Sequence, residues 1–390
     1  MRILMLNNEY PPLGGGTGSV NQALLNQFSQ VPDFKCDLVT SALGKQYKEE
    51  LYSDRIRLLK VPVNNQNIHH SSNRELLKYA ARALRLSLRL HRKNPYDLCW
   101  AWSAVPAGGV ALALSYLTDL KYFVRVSGPD IPGFEQRYRY LYPVLSPIIR
   151  KIWHRAITIV AKCKGEAEMI YKVSKPVKID LIPNGVDLDV FQPGDPIPNE
   201  GTLRLICVAR LIKRKGQHHL IQVVQSLQQQ GLDLELEFVG TGDEEGKYKD
   251  LAKQLGISDR VKFLGYVPRQ DIPALYRKAH VFVLPSFNEG MSVSTLEAMA
   301  SGLPVIVTNT GGTEELVHHG VNGYVFEWGD LEAFLTHLKN MAKDRQSARR
   351  MGMASRKRAE QFSWSRAANS YLVLFDRLLS GRIDSPTTGA

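Results

Sequence analysis

HVFVLPSFNEGMSVSTLEAMASGLPVIVTN, residues 280–309, decides the architecture of this chain. It opens on HVFVLP, a run of β-branched and aromatic residues ending in proline, which reads as a buried strand. It closes on LPVIVT, a second such strand entered through a Ser-Gly turn. The residues between them, small and hydroxyl-bearing, form a loop and then a helix. Strand, loop, helix and strand make a βαβ unit, and ligands of such units gather outside the carboxyl ends of the strands. Glu289 and Glu297 stand at the two ends of that loop and helix, so their purpose is the chemical question.

The same alternation extends outward in both directions. Upstream, strand-like runs recur at RILML (2–6), CDLVT (36–40), IRLLKV (56–61), DLCWA (97–101), KYFVRV (121–126), AITIVA (156–161) and VKIDLI (177–182). FQPGDPIPNEG (191–201), dense in proline, glycine and acid, interrupts the series. Strands then resume at LRLICVA (203–209), LELEFVG (234–240), VKFLG (261–265) and, beyond 309, GYVF (323–326). Alternating strands and helices argue for α/β doubly wound parallel sheets. Two series around one break predict two Rossmann-like domains facing a central cleft. The expected boundaries are 1–190 and 191–363, with a helix over about 364–380 packing back on the first domain and a flexible tail at 381–390.

Size and composition agree with this division. A chain of 390 residues is too long for one ordinary core, and no apolar run reaches the roughly 18 residues a spanning helix needs. The opening MRILMLNNEYPP reads as the first strand of a folded domain, since a signal peptide needs a longer apolar stretch. Cys36, Cys99, Cys163 and Cys207 lie in or beside strand-like runs without CxxC pairing, as expected for reduced thiols in a cytoplasmic protein. The net charge of +12 is uneven: residues 1–190 hold 26 Lys and Arg against 16 Asp and Glu, the remainder 24 against 22. The first half therefore faces an anionic partner or uses its charge for solubility.

Four short pieces of the second half end strands: VARLIKRKG with Arg210 and Lys215, EFVGTGDEEG with Gly240, PSFNEG, and TNTGGTEELV. In a parallel sheet they share one edge. Cations, glycines that admit a close backbone approach, and amides at helix starts suit a phosphate or diphosphate. Glu297 stands eight positions after Glu289, a helical rise of about 12 Å, comparable to the reach from sugar to ribose in a nucleotide sugar. Glu289 can then meet sugar hydroxyls and Glu297 the ribose diol, because a carboxylate accepts two hydrogen bonds at once. The amides of Gly290, Met291 and Ser292 fall near the diphosphate. The plainer reading makes Glu289 a helix-dipole partner and Glu297 an exposed helix charge.

At these residues the chain resembles the retaining family 4 glycosyltransferases of the GT-B fold. SFNEGMSVSTLEAMASGLPVI matches their Glu, seven residues, Glu signature, and VARLIKRKG, IPNGVDLDVF, FVGTGDEEGKYKDLAKQLGISDRVKFLGYV and TNTGGTEELVHHGVNGYVF match other landmarks in the same order. The resemblance is dense over 180–330 and loose before. It implies that Arg210 and Lys215 neutralise the leaving diphosphate, Glu289 binds the donor sugar and Glu297 the ribose. It further implies that Gly265 to Val267 line the base pocket, and that Asn184 and Gly185 lie at the cleft floor. No cofactor or metal is expected beyond the nucleoside diphosphate sugar. Ala209 stands where a glycine is common.

In the first half, NNEYPPLGGGTGS brings Gly14, Gly15 and Gly16 to a loop whose amides can face a diphosphate or acceptor, or form a simple turn. FVRVSGPDIPGF departs from the family: many relatives carry a histidine where this chain has Ser127, with Gly128 and Asp130 retained. A hydroxyl cannot shuttle a proton near pH 7 as histidine does. A front-face route, in which the leaving phosphate oxygen takes the acceptor proton, needs no side-chain base. In that reading Ser127 and Asp130 position substrate, unless Asp130 only caps a turn.

RELLKYAARALRLSLRLHRK (74–93) sets Lys78, Arg82, Arg85, Arg89 and Arg92 in one stripe and Leu77, Ala81, Leu84 and Leu88 in another. Such a basic amphipathic helix lies on an anionic membrane surface, or packs its apolar stripe on the sheet. The expected activity is hexose transfer to a glycan or lipid-linked acceptor in cell-envelope or exopolysaccharide synthesis, at the cytoplasmic side of a membrane. An epimerase or hydrolase on the same fold is the rival enzyme. A basic nucleic-acid-binding protein is less favoured, because the charge carries no recognised nucleic-acid module; no nucleic-acid partner is expected. A dehydrogenase lacks its GxGxxG with a following acid.

Overall fold

The computed structural model describes residues 1–65, 67, 71–195 and 200–381. The tail expected to be flexible, from 382 onward, lies outside them. The chain divides into two compact units, Met1–Pro183 with Trp364–Ala390, and Asn184–Ser363.

The first unit carries an eight-stranded sheet. Its strands are β1 (Arg2–Leu6), β2 (Lys35–Ala42), β3 (Lys48–Ser53), β4 (Ile56–Pro62), β5 (Leu98–Trp102), β6 (Tyr122–Arg125), β7 (Ile159–Ala161) and β8 (Ile179–Leu181), in the order β3-β4-β2-β1-β5-β6-β7-β8. All pairings are parallel except β3 with β4. Sequence pattern missed β3, KEELYS, because an edge strand buries little and shows no apolar run. Charge holds it instead: Glu49 pairs with Arg57 at 2.9 Å and Glu50 with Lys60 at 2.6 Å, both on β4.

The core of this unit is aromatic. Trp100 of β5 stacks on Trp102 and Phe123, with centroids 5.2 and 5.5 Å away. The helix Trp364–Ser380 closes over them: Tyr371 lies 4.4 Å from Trp100, and Phe375 touches Phe28, Phe34 and Phe123. Arg377 of that helix meets the buried Asp180 at 2.6 Å, and Arg125 Nε donates to the Tyr371 hydroxyl.

The second unit is a six-stranded, wholly parallel sheet. Its strands are β9 (Leu203–Val208), β10 (Leu234–Val239), β11 (Val261–Phe263), β12 (Val281–Leu284), β13 (Val305–Thr308) and β14 (Gly323–Phe326), in the order β11-β10-β9-β12-β13-β14. This unit begins at Asn184 rather than after residue 190. The reason is local: Val186 donates its amide to the Phe362 carbonyl at 2.7 Å, and Phe191 is fully buried in the second core. Arg356 reinforces the join by donating to the carbonyls of Phe191 and Ala300, each at 2.8 Å.

Helix Val293–Ala300 crosses between β12 and β13. Ser292 caps it, its hydroxyl accepting from the Thr295 amide at 3.2 Å. Residues Thr295 to Ala300 are all buried, because the sheet covers one side and the helix Arg345–Ala359 the other. Glu297 is therefore interior rather than an exposed helix charge.

Candidate functional site

The parallel strand order brings the carboxyl ends of β9, β10, β12 and β13 to one edge, and the loops leaving them interlock. Phe287 donates its amide to the Arg214 carbonyl at 2.7 Å, and Gly240 donates to the Gly265 carbonyl at 2.8 Å. A Cβ at Gly312 would stand 1.9 Å from the Gly290 carbonyl, and one at Gly216 2.0 Å from that of Pro285. Only glycine permits these approaches. Beside them lies a small hollow lined among others by Glu289, Gly290, Ser292, Thr310 and Gly312.

Glu289 is gripped by cations. Its Oε1 forms an ion pair with Lys215 Nζ and lies 3.6 Å from Arg214 Nη1, with all three side chains largely buried. Burial would raise the pKa of Glu289, but Lys215 and Arg214 more than offset it, so the carboxyl titrates below its ordinary value. Burial in turn pulls the Lys215 ammonium below the usual lysine range, against the attraction of Glu289. Arg210 and Lys215 are the cations expected to serve a diphosphate; beside Glu289 the structure adds Arg214, which sequence reading does not name. Arg210 is exposed, and its carbonyl accepts from Gln217 Nε2 at 2.9 Å. The KRK run holds three adjacent cations, and which one turns inward depends on the short helical turn Lys213–Lys215.

Glu297 meets Arg269 Nη2 at 3.0 Å and lies beside the Tyr276 hydroxyl, which donates to the Ser294 carbonyl at 3.2 Å. Burial raises its pKa to about 7, Arg269 and Tyr276 opposing that shift. Sequence reading named neither partner: Arg269 is an unremarkable loop cation, and Tyr276 sits in an apolar helical pattern.

Other expected ligand groups also have partners within the second unit. Asn184 and Met291 are buried and spent on each other: Asn184 Nδ2 donates to the Met291 carbonyl at 2.9 Å. They position the Glu289 loop and expose little to any ligand. Ser292 is the helix cap, and the carbonyl of Gly265 is engaged by Gly240, while Val267 is half-buried beside the exposed Tyr266.

In the first unit, the Gly15 amide, expected to face phosphate, donates instead to Glu9 Oε2 at 3.3 Å, and Gly16 opens the helix Gly16–Phe28. Glu9 stands in for an anion, since a carboxylate offers the same acceptor oxygens. Asp130 forms the turn that is the alternative to a substrate contact. Its Oδ1 accepts from the Ser127 amide at 2.7 Å and its Oδ2 from the Ala104 amide at 2.6 Å, which builds the Gly128 turn around a buried carboxylate. The Ser127 hydroxyl, by contrast, is buried with no partner among the described residues.

Helix Asn73–Lys93 turns Glu75, Tyr79, Ala83, Leu86 and Ser87 inward, and of the expected apolar stripe Leu84 and Leu88 pack against the same core. Leu77 is 72% exposed, Ala81 is exposed, and Leu84 and Leu88 are half-buried, with Lys78, Arg82, Arg85 and Arg89 exposed beside them. All four cysteines are free and buried. No helix among the described residues is long and apolar enough to cross a membrane.

Comparison with known proteins agrees with this geometry. Residues 192–358 match the family described as glycosyl transferases group 1. Over 397 residues the chain is 26% identical to the GDP-mannose-dependent alpha-(1-6)-phosphatidylinositol monomannoside mannosyltransferase of Mycolicibacterium smegmatis, covering 97% of this chain and 98% of that protein. It is 29% identical over 218 residues to the D-inositol 3-phosphate glycosyltransferase of Corynebacterium kroppenstedtii, covering 52% of this chain and 48% of that one. Sucrose-phosphate synthase from Thermosynechococcus elongatus superimposes with a TM-score of 0.84 at 20% identity, over 97% of this chain and 99% of that one. Anabaena HepE in complex with UDP and glucose does so with a TM-score of 0.76 at 20% identity, over 96% and 99%. The fold is GT-B.

Proposed function

We propose that this chain, a glycosyltransferase whose residues 192–358 match the glycosyl transferases group 1, moves a hexose from a nucleoside diphosphate sugar to a hydroxyl of a glycan or lipid-linked acceptor, retaining the anomeric configuration and using no metal. The observation that carries the proposal is the convergence of Lys215 and Arg214 on Glu289 beside the capped start of helix Val293–Ala300. A leaving diphosphate needs positive charge at its oxygens, and two buried cations with a helix dipole supply it. Arg210, on the same loop, adds a third cation at the solvent side.

Glu289 has two tasks in this reading. It holds the cations in place before donor arrives, and its second oxygen accepts from donor sugar hydroxyls. Glu297 accepts from the ribose diol. The acceptor proton leaves with the departing phosphate oxygen on the same face, and the Ser127 hydroxyl, without a partner among the described residues, is a candidate to bind substrate. Retention then requires no side-chain base.

The acceptor class follows from two supports. The Mycolicibacterium smegmatis relative is named for a phosphatidylinositol monomannoside, and the outward face of helix Asn73–Lys93 combines Leu77 with exposed Lys78, Arg82, Arg85 and Arg89. Such a face suits the anionic inner surface of a membrane, where a lipid-linked acceptor resides.

The test is a thermal-shift panel of nucleoside diphosphates and their sugars, followed by reaction with an acceptor library in EDTA and NMR of the new linkage. Donor-linked stabilisation, EDTA-resistant transfer and a retained anomeric centre are expected. Donor consumption at full rate without acceptor would replace the proposal with an epimerase or hydrolase.

A further inference from the structure

Glu297 lies on an otherwise buried helix, and its carboxylate is only 6% exposed. Two groups reach it: the Tyr276 hydroxyl, on the interior side, and the Arg269 guanidinium, which is 43% exposed. Arg269 is carried on the loop between β11 and the helix Ile272–Tyr276, where Tyr266, Pro268, Arg269 and Gln270 are all exposed. The guanidinium therefore caps Glu297 from the side on which solvent, and any ligand, arrives.

A guanidinium offers parallel N–H donors in a planar fork, and a vicinal ribose diol offers two O–H donors at similar spacing. Both complement one carboxylate edge, so they exclude each other there. An exposed arginine can leave such a pair at small cost, because water restores its hydration. The interior Tyr276 contact need not break.

We propose that Arg269 occupies the ribose-binding edge of Glu297 in the free enzyme and sets donor affinity by having to vacate it. This rests on the assignment of Glu297 to the ribose diol made above. Arg269 is thus a positioning residue: it keeps a buried carboxylate paired and oriented until a diol replaces it. Its guanidinium already lies 5.9 Å from the Phe191 ring, whose π-face offers it a neighbouring resting place.

The experiment is calorimetric titration of the full chain with UDP and GDP and with their 2′-deoxy counterparts, at pH 8.5 so that Glu297 stays ionised. Wild type, Arg269→Gln, Glu297→Gln and the double variant are compared. Arg269→Gln is expected to tighten the ribonucleotides on the order of fivefold, because the exposed guanidinium no longer has to leave the carboxylate, and the 2′-deoxy compounds less. In the Glu297→Gln background the Arg269 substitution should change nothing. If Arg269→Gln weakens the ribonucleotides or leaves them unaltered while Glu297→Gln still erases the ribose preference, Arg269 is not the competitor and the inference fails alone. If Glu297→Gln leaves the ribose preference intact, the ribose assignment fails and takes the inference with it.

Discussion

Asn184 and Met291 are joined twice: the Asn184 side-chain amide donates to the Met291 carbonyl at 2.9 Å, and its backbone amide lies 3.3 Å from the Met291 sulfur. The first residue of the second unit thereby holds the loop that carries Glu289. Asn184→Ala leaves the buried Met291 carbonyl without its partner, a loss of about 1–3 kcal/mol. Denaturant unfolding should register that loss, and kcat/KM for donor should fall with it. Wild-type stability in this variant would mean that the loop is held elsewhere.

Lys215→Met removes the main counter-charge of a buried carboxylate. Glu289 loses the cation that keeps its pKa low, and burial then moves it up. Donor affinity should drop by one or more orders of magnitude, as expected when one partner of a buried pair is deleted. Glu289→Gln should slow turnover with a smaller change in donor affinity, because the cations remain. Steady-state kinetics separate the two patterns, and identical losses in both variants would contradict the division of roles.

The pKa of Glu297 is raised from 4.5 to about 7 in the folded chain. Below about pH 4.5 the carboxyl is protonated folded and unfolded, and it costs nothing. Between pH 4.5 and 7 the unfolded chain ionises first, so stability contributed by the protonated form is lost as pH rises and stays lost above 7. The Tm difference between Glu297→Gln and wild type should therefore move in the variant's favour across that window and level off above it. A difference that is flat from pH 4.5 to 7 would place the Glu297 pKa in the ordinary range.

Asp130→Asn replaces one of two acceptor oxygens with an amide nitrogen facing a backbone N–H. The turn at Gly128 should weaken by about 1–3 kcal/mol, with turnover of the folded enzyme nearly unchanged. A fall in turnover by two or more orders of magnitude, at full stability, would return Asp130 to the catalytic machinery.

Changing Arg82, Arg85 and Arg89 together to Gln should reduce binding to vesicles containing anionic lipid by about 3 kcal/mol, near 1 kcal/mol for each cation. Donor binding should persist, since these residues lie on the first unit and far along the chain from the Glu289 loop. Sedimentation with vesicles measures the first effect and thermal shift the second; unaltered vesicle binding would remove the membrane surface as partner of this helix.

The strands of both sheets were legible because each buried strand writes its burial into a run of adjacent apolar letters. β3 was not, since an edge strand held by Glu49–Arg57 and Glu50–Lys60 has no apolar run to read. The ordered Gly, Lys and Glu landmarks of the second half were legible for a related reason: in a parallel sheet, loops that end strands reach one edge whatever their separation in the chain. Sequence by itself thus determined an α/β chain with two strand series and a loop edge bearing Glu289 and Lys215.

Tertiary structure alone decided the partners. Arg214 joins Lys215 at Glu289, Arg269 covers Glu297, Glu9 takes the Gly15 amide, and Asp130 accepts from the amides of Ser127 and Ala104. Each of these pairs forms between side chains or amides whose meeting depends on how loops close in space. Periodicity records which face of an element is buried; it carries no trace of which polar atom lies opposite.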